Sequence, residues 1–118
     1  MVIAVTDGTI GNGNLTSLHF LYQNGTHIPT FGTFGNGPAI QATPVQAGVW
    51  HHYACNITSD SFAFYIDGAL VDSISNAGMA DAVSEVDIGA LRDDTASTYN
   101  RYFNGRILAA RIYARALS

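Results

Sequence analysis

The sequence predicts an all-β domain, a two-sheet antiparallel β-sandwich, and three observations carry that prediction. Apolar residues alternate with polar or small ones at period two, as at Tyr53, Cys55 and Ile57 and again at Phe62, Phe64 and Ile66. That spacing gives a strand one buried face. Turn signals recur at short, regular intervals, among them Asn24-Gly25 and Asp67-Gly68. No stretch carries a helical period.

Length and composition set the scale. A chain of 118 residues makes one domain, and 47% apolar residues are enough for a packed core. Charged residues are only 12%, there is no lysine, and five arginines face nine carboxylates for a net charge of −4. With no basic cluster, nucleic acid is not expected as a partner. No apolar run approaches the ~20 residues needed to span a bilayer, so membrane insertion is not expected either. The surface is left to Asn, Thr, Ser, Gly and Gln, a style shared by extracellular and particle-surface β proteins. Met1 to Val5 lacks the basic start of a signal peptide, so export is expected to be directed from outside the chain. Cys55 is the only cysteine; on the apolar face of a strand it reads as a small buried thiol.

Taken in order, Val2 to Thr6 is a short apolar strand followed by a Gly/Asn loop. Leu15 to Gln23 places Leu18, Phe20 and Tyr22 on one face. Asn24-Gly25 predicts a type I′ turn into a strand over His27 to Phe34, where Pro29 removes a ladder donor and marks an edge or irregular strand. Ala39 to Thr43 is a short strand. The next strands, around Tyr53 to Ile57 and Phe62 to Ile66, are joined by a hairpin-sized connection at Thr58 to Ser61. Ala69 to Ile74 returns from Asp67-Gly68. Ser75 to Ala82 reads as a loop, and Ser84 to Ile88 as a strand ended by Gly89. Arg92 to Arg101, the most polar segment, reads as a surface loop. Tyr102 to Tyr113 reads as the last long strand, with a bulge near Leu108-Ala109 where the apolar face switches. Nine or ten short strands at this spacing predict a sandwich of jelly-roll topology.

Five blocks in order carry a family resemblance. They are Gly48-x-Trp50-His51-His52-Tyr53-Ala54, Phe64-Tyr65-Ile66-Asp67-Gly68-x-Leu70-Val71, Val86-x-Ile88-Gly89, Phe103-x-Gly105-x-Ile107, and Arg111-Ile112-Tyr113-x-Arg115-Ala116-Leu117-Ser118. In these the chain resembles the laminin-G-like, concanavalin-A-like jelly-roll superfamily. The resemblance implies an opening strand and a second, Trp-bearing strand ahead of Val2 to Val5, and neither is found. The expectation is that the chain is a fragment, or that neighbouring copies or chains supply the strands by β-augmentation. The block also implies that Trp50 packs in the core or at its rim.

Candidate sites follow. Related retaining β-glucanases carry Glu-x-Asp-x-Glu on one strand, and here Glu85 and Asp87 are followed by Gly89. A retaining mechanism needs two carboxyl groups in defined roles, so no catalytic residue is expected, and Glu85 and Asp87 read as solvent-facing acids. Asp93, Asp94, Asn100 and Asn104 offer the hard oxygen atoms that Ca²⁺ takes, with Asp93, Asp94 and Asn104 as the expected metal ligands. Tyr99, Asn100 and Tyr102 are the expected ligand-binding residues, because a sugar presents an apolar C–H face to an aromatic ring and hydroxyls to Asn. Tyr65 is a further exposed-aromatic candidate. His51 and His52 lie on opposite faces of a strand and read as structural. The expected function is non-catalytic recognition or adhesion, binding a glycan or a protein surface at a cell surface, outside the cell or on a virion. The alternative is a structural subunit of a larger assembly such as a virus particle or surface fibre.

Overall fold

The computed structural model describes residues 2–6, 15–33, 38–58, 60–75, 85–93, 98–100 and 102–115. Among them are ten strands and no helix: β1 (Ile3–Thr6), β2 (Leu15–Gln23), β3 (Thr26–Thr33), β4 (Ala39–Gln41), β5 (Tyr53–Ile57), β6 (Ser61–Ile66), β7 (Ala69–Ser75), β8 (Glu85–Ile88), β9 (Leu91–Asp93) and β10 (Thr98–Asn100). They form a five-stranded sheet in the order β4-β3-β2-β1-β8, a three-stranded sheet β5-β6-β7, and a β9-β10 ribbon. All the pairings are antiparallel.

The hairpins form where their turn residues tolerate left-handed backbone. Asn24 and Gly25 have φ of 51° and 81°, and Asp67 and Gly68 have 52° and 81°. Positive φ at both central positions gives the type I′ twist that keeps flanking strands paired. The β5–β6 connection is closed differently: Thr58 N–H donates to Ser61 O at 2.8 Å, and Ser61 N–H donates to Thr58 Oγ1 at 3.0 Å.

Register then builds the core. Across the five-stranded sheet, Ile88, Ile3, Leu18, Phe31 and Ile40 stand opposite one another in a single row. In the three-stranded sheet Phe62 lies opposite Ile57 and Ile74, and Phe64 opposite Cys55. The two inner faces meet through aromatic rings, with Phe31 5.6 Å from Phe62 and 6.0 Å from Phe64. Phe62 and Phe64 are fully buried. This is the sheet-on-sheet packing of a β-sandwich.

Three expectations are corrected. β3 is not an edge strand; it runs between β2 and β4. Pro29 is tolerated there because its carbonyl accepts Ala42 N–H at 2.9 Å, so its missing N–H faces the β4 side just past the end of that strand. Residues 91–93 and 98–100 are paired strands rather than parts of a loop. A two-stranded ribbon needs no buried face, so the apolar alternation that marks other strands has no reason to be present. Residues 102–115 form no strand. Alternation records a capacity to be half-buried in a sheet, and among the described residues no strand lies alongside to bond it. The expected bulge near Leu108-Ala109 goes with it. The expected loop over 75–82 lies outside the described residues beyond Ser75.

Candidate recognition site

Of the site residues expected from the sequence, Asp93, Tyr99 and Asn100 lie in the β9–β10 ribbon that follows β8, and Tyr102 and Asn104 lie on the segment after it. In that ribbon Asp93 lies opposite Thr98, Tyr99 opposite Arg92, and Asn100 opposite Leu91. Tyr99 and Asn100 are consecutive positions of β10. Asp94 lies outside the described residues. Asp93 ends β9, and Asn104 is exposed on the segment that follows the ribbon. Among the described residues no three His, Cys, Asp or Glu side chains come together as a metal-holding group.

The best-defined part of this region is the segment 102–104. Phe103 N–H donates to Gly89 O at 2.8 Å. Its ring stacks on Phe20, 5.8 Å between centroids, and Phe20 in turn meets Tyr53 edge-on at 5.9 Å. One backbone bond, to Gly89 just past β8, and one ring stack, on Phe20 of β2, thus fasten Phe103 to the five-stranded sheet. Its neighbours are turned outward: Tyr102 is 71% exposed and Asn104 is exposed too. The result is an aromatic face displayed beside an amide on an anchored backbone.

A second polar cluster sits by the β6–β7 turn. Asp67 Oδ1 accepts His52 N–H at 2.8 Å, Asp67 N–H donates to His52 O at 2.8 Å, and His51 Nδ1–H donates to Asp67 Oδ2 at 2.8 Å. Both histidines therefore help hold a turn, as a structural reading expects. The His51 bond and the His52 N–H hold the Asp67 carboxyl below its ordinary value of 3.8. A depressed carboxylate contributes stability that is present above the unfolded value and lost as pH falls through the folded one. Asp67→Asn keeps a residue tolerant of positive φ but removes the charge. On urea titrations from neutral pH to below 3.8, the wild type should lose more stability than Asp67→Asn; parallel profiles would refute the assignment.

Trp50 departs from expectation. It is 63% exposed, beside an exposed Val49, and so is not packed in the core. It precedes β5 and follows the turn at Gly48, and the strand alternation that would bury it begins only at Tyr53. That placement is the signal by which Trp50 could have been found as a second displayed aromatic. Tyr65 is half-buried, opposite Ala54 and Leu70.

Asp87 also differs: it is 7% exposed, not solvent-facing. It stands opposite Ala4, on the face of the five-stranded sheet away from the aromatic core. Burial pushes the Cys55 thiol up to about 12, which leaves it unionised and unreactive at neutral pH.

A family model described as the concanavalin A-like lectin/glucanases superfamily, of laminin G type, matches residues 2–118. The chain belongs to this superfamily. The match takes in both sheets, the ribbon and the segment around Tyr102. The concanavalin A-like superfamily holds lectins and glucanases, so membership supports carbohydrate or protein binding as the general role and leaves the particular one to the site. No curated protein and no solved structure matches the chain.

Proposed function

We propose that the chain is a non-catalytic recognition module that binds a glycan, or a surface patch on a protein, against Tyr102. It would act on a secreted, cell-surface or virion protein. The observation that carries this reading is the exposed Tyr102 ring next to Phe103, which is tied to Gly89 and stacked on Phe20. An aromatic plane takes the C–H face of a sugar, and the Asn104 amide is suited to its hydroxyls. Non-catalytic action is supported by Gly89 standing where the glucanase pattern has its last carboxylate, and by the burial of Asp87. Asp93 and Asn104 supply oxygens of the kind calcium takes, and a bound ion would steady this end of the fold.

Screening the whole chain on a glycan array, beside Tyr102→Ala and in calcium or EDTA, tests the proposal. We expect the variant to keep its circular dichroism and lose about tenfold or more in binding to whatever the wild type retains, the scale of one aromatic contact. Equal binding by both proteins would move the site away from Tyr102. Equal binding in calcium and EDTA would remove the ion.

A further inference from the structure

We infer that Tyr22 and His27, at the tip of the β2–β3 hairpin, form a second sugar contact that continues the one at Tyr102, so that the ligand is an oligosaccharide and not a single terminal sugar. The inference rests on the reading that Tyr102 takes a glycan, and it adds where the further sugars lie.

The hairpin carries the inner face of the five-stranded sheet out past the core. Alternate positions of a strand share a face. Along β2 that face runs from Leu18, buried, through Phe20, half-buried, to Tyr22, which is 70% exposed. Along β3 it runs from Phe31 and Pro29, both buried, to an exposed His27. Phe20 still meets Tyr53 of the three-stranded sheet. Two residues further on, the face is open to water. The residue types change with the exposure, because Tyr and His each join an apolar ring to a polar tip and can be either wet or covered.

The two rings are held as a pair. Tyr22 lies directly opposite His27 in the register, with ring centroids 4.9 Å apart and planes at 47°. The turn beyond them is fixed by the positive φ of Asn24 and Gly25, and Thr26 Oγ1–H donates to Gln23 O across it at 2.9 Å. Gln23 and Asn24 are exposed, and their amides offer the donors and acceptors that sugar hydroxyls use.

Phe20 joins this tip to the proposed site. Its ring stacks on Phe103, which follows Tyr102 directly. Tyr22 lies two strand residues, about 7 Å, beyond Phe20. One ring stack and one strand step thus connect the two exposed tyrosines. A sugar resting on Tyr102 fills that contact, and sugars linked to it reach the Tyr22–His27 pair. The second contact is then made within the complex and adds to the affinity of the first.

Calorimetric titration of the full chain with the tightest-binding oligosaccharide on the array, and with successively shortened forms of it, tests the inference. Tyr22→Ala should weaken the longest form by about tenfold, the scale of one aromatic contact. The loss should shrink as the sugar is shortened, and Tyr22→Phe should keep most of the binding. Tyr102→Ala should weaken every length. Tyr22 is exposed, so circular dichroism should stay unchanged. A Tyr22→Ala variant that matches the wild type at every length, beside a weakened Tyr102→Ala, would overturn the inference and leave the Tyr102 reading standing. An equal loss at every length in Tyr22→Ala would overturn it too, because the hairpin would then act on the fold and not on the further sugars. Binding unchanged in Tyr102→Ala, or no glycan bound at all, would overturn both.

Discussion

Phe64→Ala should cost about 3–5 kcal/mol, enough to leave a domain of this size near or past its unfolding limit, since total stabilities run to about 5–15 kcal/mol. Phe64 is fully buried in the middle strand of the three-stranded sheet. Its ring lies 6.0 Å from Phe31 across the sandwich and 6.2 Å, stacked, from Tyr53 on the neighbouring strand. Truncation removes the apolar area and leaves a cavity walled by rings fixed from two sheets, which cannot collapse freely. Leu70→Ala is the control, because Leu70 is 56% exposed on β7; it should change stability by no more than about 0.5 kcal/mol. Urea midpoints of the two variants give the comparison. Equal losses would mean that the sheets are not held together by this cluster.

Gly32→Ala should be nearly as damaging, at about 2–4 kcal/mol, for a reason unrelated to apolar burial. Gly32 lies in β3 between Ser17 of β2 and Ala39 of β4, with φ at 146°. A Cβ there would lie 2.5 Å from Pro38 O and 2.6 Å from Ala39 Cα. Both are backbone atoms, so relief requires β4 to move off β3, pulling Ile40 away from Phe31. Gly25→Ala separates conformation from crowding: its φ is also positive, but a Cβ at Gly25 would meet nothing within 4 Å. That variant should cost only about 1–2 kcal/mol. Thermal melts in which Gly32→Ala is the milder of the two would contradict the close approach of β3 and β4.

What the sequence made legible follows from where the physics is local. The Asn24-Gly25 hairpin and the strands on either side of Asp67-Gly68 are written in turn chemistry and period-two alternation, and both could be read residue by residue. The place of β3 inside the sheet could not, because which side of Pro29 meets a neighbour depends on where β4 ends. The same limit applies at the site. Tyr102 was legible as a candidate by its type and its polar company, but its support comes from Gly89 and Phe20, distant in sequence. Trp50 was misplaced because a family block names a position and not its exposure. The 102–115 segment shows the converse: it has a strand pattern, but among the described residues no strand pairs with it.

The most direct test of the account is amide chemical-shift mapping of the whole chain, titrated with the glycan that binds most tightly on the array. Shifts concentrated at residues 98–104 and around Gly89, and abolished in Tyr102→Ala, are the predicted result. Shifts centred on Val49, Trp50 and the His51–Asp67 cluster would contradict it and place recognition at the other exposed aromatic.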